Sequence, residues 1–278
     1  MACAVGFAVL AYVYVTLPDV RVLATSNPTT TAFMELREKQ ALSKGETLRH
    51  EQRWMSYARI SPSLKRAVLV AEDDAFWDHE GVDVEQIRRS IEINLQRGAA
   101  VRGASTLTQQ LAKNLYLSPS RNPLRKLREL IIARRLEAEL PKARIFEIYL
   151  NVIEWGEGIW GADAASRRYF GIPASALSAS QAALLAGAII NPRVLNPARP
   201  TRRLRSRQRM LLARMGGVSL PAPPPVTIVQ PDAALEEVPP LDAEAPDTPA
   251  DEGAAEPAGP EDAPPSEAAP AEPVAVQP

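Results

Sequence analysis

Four clusters in this chain combine residue types that can do chemistry. The first is Glu72-Asp73-Asp74-x-Phe76-x-x-His79-x-Gly81. A carboxylate held against Phe76 and Trp77 would lose hydration. Its pKa would rise toward neutrality, which suits it to taking a proton, and neighbouring acids push the same way. The same residues also make a solvated acidic turn, or an acidic cap that favours a helix start. The second cluster is Gly103-Ala104-Ser105-Thr106-Leu107-Thr108-Gln109-Gln110-Leu111-Ala112-Lys113-Asn114. Thr106-x-x-Gln109 reads as a capping box. On the helix that follows, Thr106, Gln109, Gln110 and Lys113 share one face. Hydroxyl, amide and ammonium groups at a helix start suit phosphate or sugar hydroxyls. An ordinary capped amphipathic helix has the same pattern.

The third cluster is Arg121-x-x-x-Arg125-Lys126-Leu127-Arg128-Glu129. Glu129 lies four residues after Arg125, so the pair meets on one helix face. It is either a surface ion pair of about 0.3–0.5 kcal/mol or a second functional carboxylate among polyanion-binding bases. The fourth runs from Glu147 through Tyr149-Leu150-Asn151, Glu154-Trp155-Gly156, Gly158 and Trp160-Gly161. Its glycines and tryptophans suggest a tight loop after a helix. The loop's rings either face sugar rings and lipid edges or pack on the core.

Helices must position these clusters. Leu64, Val68 and Ala71 recur at helical spacing before the first. Leu107, Leu111 and Leu115 form a stripe in the second, and Leu124, Leu127, Leu130 and Ile131 another in the third, ending at Pro141. Ala182–Ile190 reads as an almost apolar helix closed by Asn191-Pro192, and residues 199–215 as a basic one. Period-2 alternation with hairpin signals is absent, which disfavours a sheet-based fold. The reading is therefore mainly α.

Composition narrows the classes further. The single Cys3 excludes an internal disulfide, two histidines disfavour a His-rich metal site, and neither a GxxxxGK(S/T) loop nor a GxGxxG read as following a strand is present. Net charge is -1 over 278 residues, but residues 221–278 hold 13 of the 33 acids, 16 of the 26 prolines and no Lys or Arg. Residues 1–220 keep 32 bases against 20 acids, a formal +12. The tail, acidic and rich in Pro and Ala, is expected to be disordered. Residues 2–17 are uncharged; as a helix they span about 24 Å, slightly short of a hydrocarbon core of about 30 Å. A single membrane anchor with a clipped start is the expectation, with a signal peptide or a buried helix as alternatives.

Taken in order, the four clusters resemble the glycosyltransferase domain that polymerises peptidoglycan from lipid II. The blocks ED-x-x-F-x-x-H-x-G, STLTQQLAKN, RK-x-x-E and E-x-YLN stand in sequence over about residues 62–200. Pro18-Asp19-Val20, Asn27-Pro28 and Thr30-Thr31-Ala32-Phe33-Met34 resemble the monofunctional biosynthetic version of that family. The S-x-x-K and K-T-G motifs of a penicillin-binding domain are absent.

The resemblance implies a lysozyme-like helical domain at 61–218, an anchor at 1–18, a membrane-proximal segment at 19–60 and a tail at 219–278. It implies that the C4 hydroxyl of lipid II attacks C1 of the lipid-pyrophosphate-linked glycan with inversion, releasing undecaprenyl diphosphate. Carried over, Glu72 is the general base, supported by Asp73 and His79, and Glu129 the second essential carboxylate. Lys113, Arg121 and Arg125 hold the pyrophosphate, and Ser105, Thr106, Gln109 and Gln110 line the donor site. Asn114, Asn151 and Glu154 are further candidates. A divalent cation, Mg or Mn, is the one cofactor left open. The implied partners are lipid II, the lipid-linked glycan, the membrane, and cell-wall synthesis or division proteins, with no nucleic acid. The implied location is the bacterial inner membrane, single-pass, with the catalytic domain on the periplasmic side. Ala104 departs from a frequent second glycine, and Val152 from an acid that Glu154 could replace. Two other functions remain in view: a peptidoglycan-cleaving enzyme of similar fold, and a catalytically silent scaffold binding through residues 199–215 and the acidic tail.

Overall fold

A computed structural model describes residues 7, 15–47, 49–98, 105–117 and 122–221 of the chain. The chain divides into two units, Met1–Thr227 and Ile228–Pro278, and the second lies outside the described residues. So does the acidic tail from 222 onward, together with the expectation that it is disordered. Most of the N-terminal apolar run lies outside them too. Among the described residues, no helix is long and apolar enough to cross a membrane.

The first unit is mainly α. Its helices among the described residues are α1 (Ala32–Leu42), α2 (Pro62–Glu72), α3 (Val84–Arg97), α4 (Leu107–Tyr116), α5 (Pro123–Glu139), α6 (Lys142–Val152), α7 (Ala162–Phe170), α8 (Ala179–Ala188) and α9 (Arg202–Met215). Pro62 starts α2, where a preset φ suits the first turn and no N–H is missed. Leu64, Ala67 and Val68 then bury one face against α8 and α9. A reciprocal capping box of Ser178 and Gln181 opens α8. Its small residues let α9 come close: a methyl at Gly187 would stand 3.1 Å from Leu204 and 3.6 Å from Arg207. On α9, Leu204, Leu211 and Met215 are buried while Arg202, Arg205 and Arg209 face solvent.

The second group of helices centres on α4, which packs on α5 and α6 and also meets α1. The predicted stripe Leu107, Leu111 and Leu115 is its buried face. Residues before 61 join the same core through Val20, Leu23, Met34, Met55, Tyr57 and Ile60. Helix α3 differs: Ser90 is its buried residue, and Val84, Ile91 and Leu95 are exposed.

Two expectations are corrected, and one choice left open is decided. On α5 the buried face is Glu129, Ile132, Ala133 and Leu136, whereas Leu124 and Leu127 are 48% and 36% exposed. At about 100° per residue these two sets lie on nearly opposite faces, so the apolar stripe read from sequence is not the packed one. The glycine-rich segment is a hairpin, β2 (Glu154–Gly156) antiparallel to β3 (Ile159–Trp160), with β1 (Glu51–Gln52) parallel to β3. Strands of two or three residues are too short to show alternation. Gly158, at φ +68°, faces the Arg49 carbonyl where any side chain would collide. Trp155 and Trp160 are fully buried, so their rings pack in the core instead of walling a ligand groove.

Candidate active site

Glu72 is the last residue of α2, and the next residue organises its surroundings. Asp73 leaves the helix at φ −165° and ψ 85°, which turns its carboxylate inward, where it is buried. It accepts from the first backbone N–H of α4, at Leu107 (2.8 Å), and both its oxygens lie 3.1 Å from Nε2 of His79. Nδ1 of His79 accepts from Gly81 N–H (3.1 Å), so the ring hydrogen sits on Nε2 and points at Asp73. One carboxylate thus ties together the end of α2, the His79 loop and the start of α4. Beneath it Phe76 is fully buried against Phe146.

The loop is tied a second time at Gly81. Its carbonyl accepts from Thr106 Oγ1 (2.7 Å) and Gln109 Nε2 (3.2 Å). Thr106 caps α4 as predicted, accepting from Gln109 N–H. The other half of the expected capping box is replaced, because the Gln109 side chain goes to Gly81. Gly81 has φ +82°, and a methyl there would press on Glu137 and the Ala133 carbonyl. That Glu137 is itself held by Thr108 and Lys142.

One turn further along α4, Gln110 donates to Glu72 Oε2 (3.0 Å) and accepts at its amide oxygen from the Tyr149 hydroxyl (3.1 Å). Arg207 of α9 approaches the other Glu72 oxygen to 4.0 Å. Burial pushes the Glu72 carboxyl above its usual range, against the lowering pull of Gln110, Arg207 and Lys113; Asp73 adds to the rise. Lys113, the next polar residue on that face, has its ammonium pKa lowered by burial and by Arg125 and Lys126. Glu129, and more weakly Glu72, act in the opposite sense. Lys113 therefore stands within electrostatic reach of both carboxylates.

Glu129 is buried on α5 instead of lying at the surface. Arg125 reaches one of its oxygens (2.7 Å) and Lys126 the other. Lys126 also bonds Gln109 Oε1 (3.0 Å) and lies 3.5 Å from Ser105 Oγ. The result is a continuous polar strip: Glu72, Gln110, Lys113, then Glu129 with Arg125 and Lys126, bordered by Ser105, Thr106 and Gln109. A strip with a desolvated acid at one end and paired cations at the other can take a proton at one point and stabilise an anion at another.

The remaining predicted residues make other contacts or lie outside the described residues. Asn114 bonds back to the Gln110 carbonyl of its own helix. Asn151 is fully buried and clamps Met55, accepting from its N–H and donating to its carbonyl, both at 2.8 Å. Glu154 pairs with Arg37 at 2.9 Å and sits in a cavity with Glu157 and Arg193; burial pushes its carboxyl up, opposed by Arg37. Arg121 lies outside the described residues. A cavity of about 830 Å³, lined by Arg49, Glu157, Arg168, Arg193 and Arg199, includes none of the strip's groups.

Three groups at the strip were not singled out from the sequence. Lys126 was legible, being three residues before Glu129. Tyr149 stood in a quoted motif but with no sign of its partner. Arg207 was one arginine of many in a basic helix, and its approach to Glu72 depends on how α9 packs. The donor set does not suit a divalent cation: both Glu129 oxygens are held by cations, and among the described residues no three His, Cys, Asp or Glu side chains converge.

Known proteins resemble this chain over most of its described residues. The profile of the Transglycosylase family matches residues 38–216, which span the whole strip. The chain is 48% identical over 196 residues to the biosynthetic peptidoglycan transglycosylase of Laribacter hongkongensis, covering 70% of this chain and 86% of that protein. It is 54% identical over 169 residues to the protein of the same name from Aromatoleum aromaticum, covering 60% and 73%. It is 47% identical over 195 residues to the one from Nitrosospira multiformis, covering 70% and 85%. The chain belongs to the transglycosylase family.

Proposed function

We propose that this protein is a peptidoglycan glycosyltransferase that polymerises glycan chains from lipid II. The Glu72 carboxylate takes the proton of the acceptor C4 hydroxyl as its oxygen bonds to C1 of the donor sugar. The bond from C1 to the diphosphate oxygen breaks, its electron pair leaves with the diphosphate, and C1 inverts. Lys113, Arg125 and Lys126 face the charge that develops on that leaving group, which is where preorganised cations contribute most. Glu129 holds Arg125 and Lys126 in place. No step here passes through a metal ion.

The observation that carries this reading is that neighbouring residues of α4 reach both carboxylates: Gln110 donates to Glu72 at 3.0 Å, and Gln109 accepts from Lys126 at 3.0 Å, which with Arg125 holds Glu129. A cleaving enzyme needs an acid to protonate a glycosidic oxygen. A departing diphosphate needs cations instead, and this strip supplies them. The same proposal includes a lysozyme-like helical domain and single-pass attachment to the inner membrane, with the site on its periplasmic side. The +12 body and the exposed Val84, Ile91 and Leu95 of α3 support attachment to an anionic lipid surface. The test is to incubate purified protein separately with lipid II and with finished glycan. Chains growing from lipid II are expected, and shortening of the finished glycan without growth from lipid II would refute the proposal.

A further inference from the structure

We infer that Tyr149 is a positioning residue for the base, its hydroxyl orienting the Gln110 amide so that N–H, and not oxygen, faces Glu72. This rests on the glycosyltransferase reading above. The two ends of a Gln amide have nearly the same shape, so packing alone does not choose between them; hydrogen-bond partners do. Here the partner on one side is the Tyr149 hydroxyl, 3.1 Å from Gln110 Oε1, and on the other Glu72 Oε2, 3.0 Å from Gln110 Nε2.

Tyr149 is well suited to enforce the choice. It is fully buried on α6, and burial, reinforced by Glu72 and Asp73, pushes its phenol well above the ordinary range. It therefore stays a donor throughout the working pH range. With Gln110 turned over, its oxygen would oppose a carboxylate oxygen of Glu72, an arrangement that only a protonated Glu72 would accept. The other charged groups facing Glu72 are Lys113 from α4, Arg207 from α9 and the adjacent Asp73. None of these bonds the Gln110 amide, so none can replace Tyr149 in orienting it.

The test is the pH dependence of lipid II polymerisation by the full chain in detergent. Tyr149→Phe keeps the ring and removes the hydroxyl. The acid limb of kcat is expected to move up by about one pH unit, a loss of about tenfold on the acid side that narrows as pH rises. Gln110→Ala is expected to move the limb in the same direction, and adding Tyr149→Phe to it to move the limb no further. A purely structural Tyr149 would lower activity evenly across pH and leave the limb in place, which would overturn the inference. If Tyr149→Phe does not fold, an unmoved limb in Gln110→Ala overturns it equally. Wild-type protein inactive on lipid II would instead remove the functional reading on which the inference rests.

Discussion

Glu72 is held in a setting that costs stability in order to keep a reactive carboxylate. Because burial raises its folded pKa, stability is greatest below the carboxyl's ordinary pKa and declines as pH rises through the raised one. Glu72→Gln removes that cost. It is expected to lower kcat by about 10²–10⁴-fold, with lipid II binding retained and a melting temperature higher by about 2–4 °C at neutral pH. Turnover, binding and thermal scans on the one variant check this, and retained turnover would remove Glu72 as the base. Lys113 is likewise desolvated. Lys113→Ala is expected to lower kcat/KM for the lipid-linked donor by about 10²-fold without lowering the melting temperature. Donor-dependent initial rates are the measurement, and unchanged rates would contradict its role at the diphosphate.

At the scale of elements, the Asp73–Gly81 loop and the start of α4 behave as one piece, tied through Asp73 to Leu107 and His79 and through Gly81 to Thr106 and Gln109. Gly81→Ala places a side chain at φ +82° and against Glu137 and Ala133. It is expected to destabilise by at least about 1–2 kcal/mol and to reduce turnover, because Glu72 and Gln110 move together. Denaturant midpoints and kcat together check it. Helix existence was legible wherever apolar spacing was strong, as in α2, α4 and α8. The α5 face was misread because Leu124 and Leu127 look like core residues in isolation. The helix is in fact oriented by Ile132, Ala133 and Leu136 and by Glu129, which turns inward to its cations. Of the candidate site, Glu72, Lys113 and Glu129 could be named from the family resemblance their motifs carry; spacing alone left a surface or capping reading open for each. The contacts from Tyr149 and Arg207 join residues 39 or more apart, and Asn151 and Glu154 hold other parts of the fold.

For the whole molecule, charge and apolar exposure support the proposed binding of the body to a lipid surface. Its attachment to vesicles containing anionic lipid is expected to weaken as salt rises, with screening setting in over about 10 Å at 0.1 M. Replacing Ile91 and Leu95 with Glu is expected to weaken it further without changing the melting temperature, since both side chains are exposed. Vesicle co-sedimentation measures both. The family match ends at residue 216, so deleting 222–278 is expected to leave polymerisation in detergent within about twofold of the full chain. A larger loss would give the tail a part in catalysis.

The strip's groups are shared: Gln110 serves both Tyr149 and Glu72, Lys126 serves Glu129 and Gln109, and Asp73 serves three segments. An inhibitor seated on Gln110, Lys126 and Glu129 would rest on side chains that each have a second duty. A substitution that evaded the compound would also loosen the enzyme's own machinery. Resistance arising at those positions should therefore carry a growth defect.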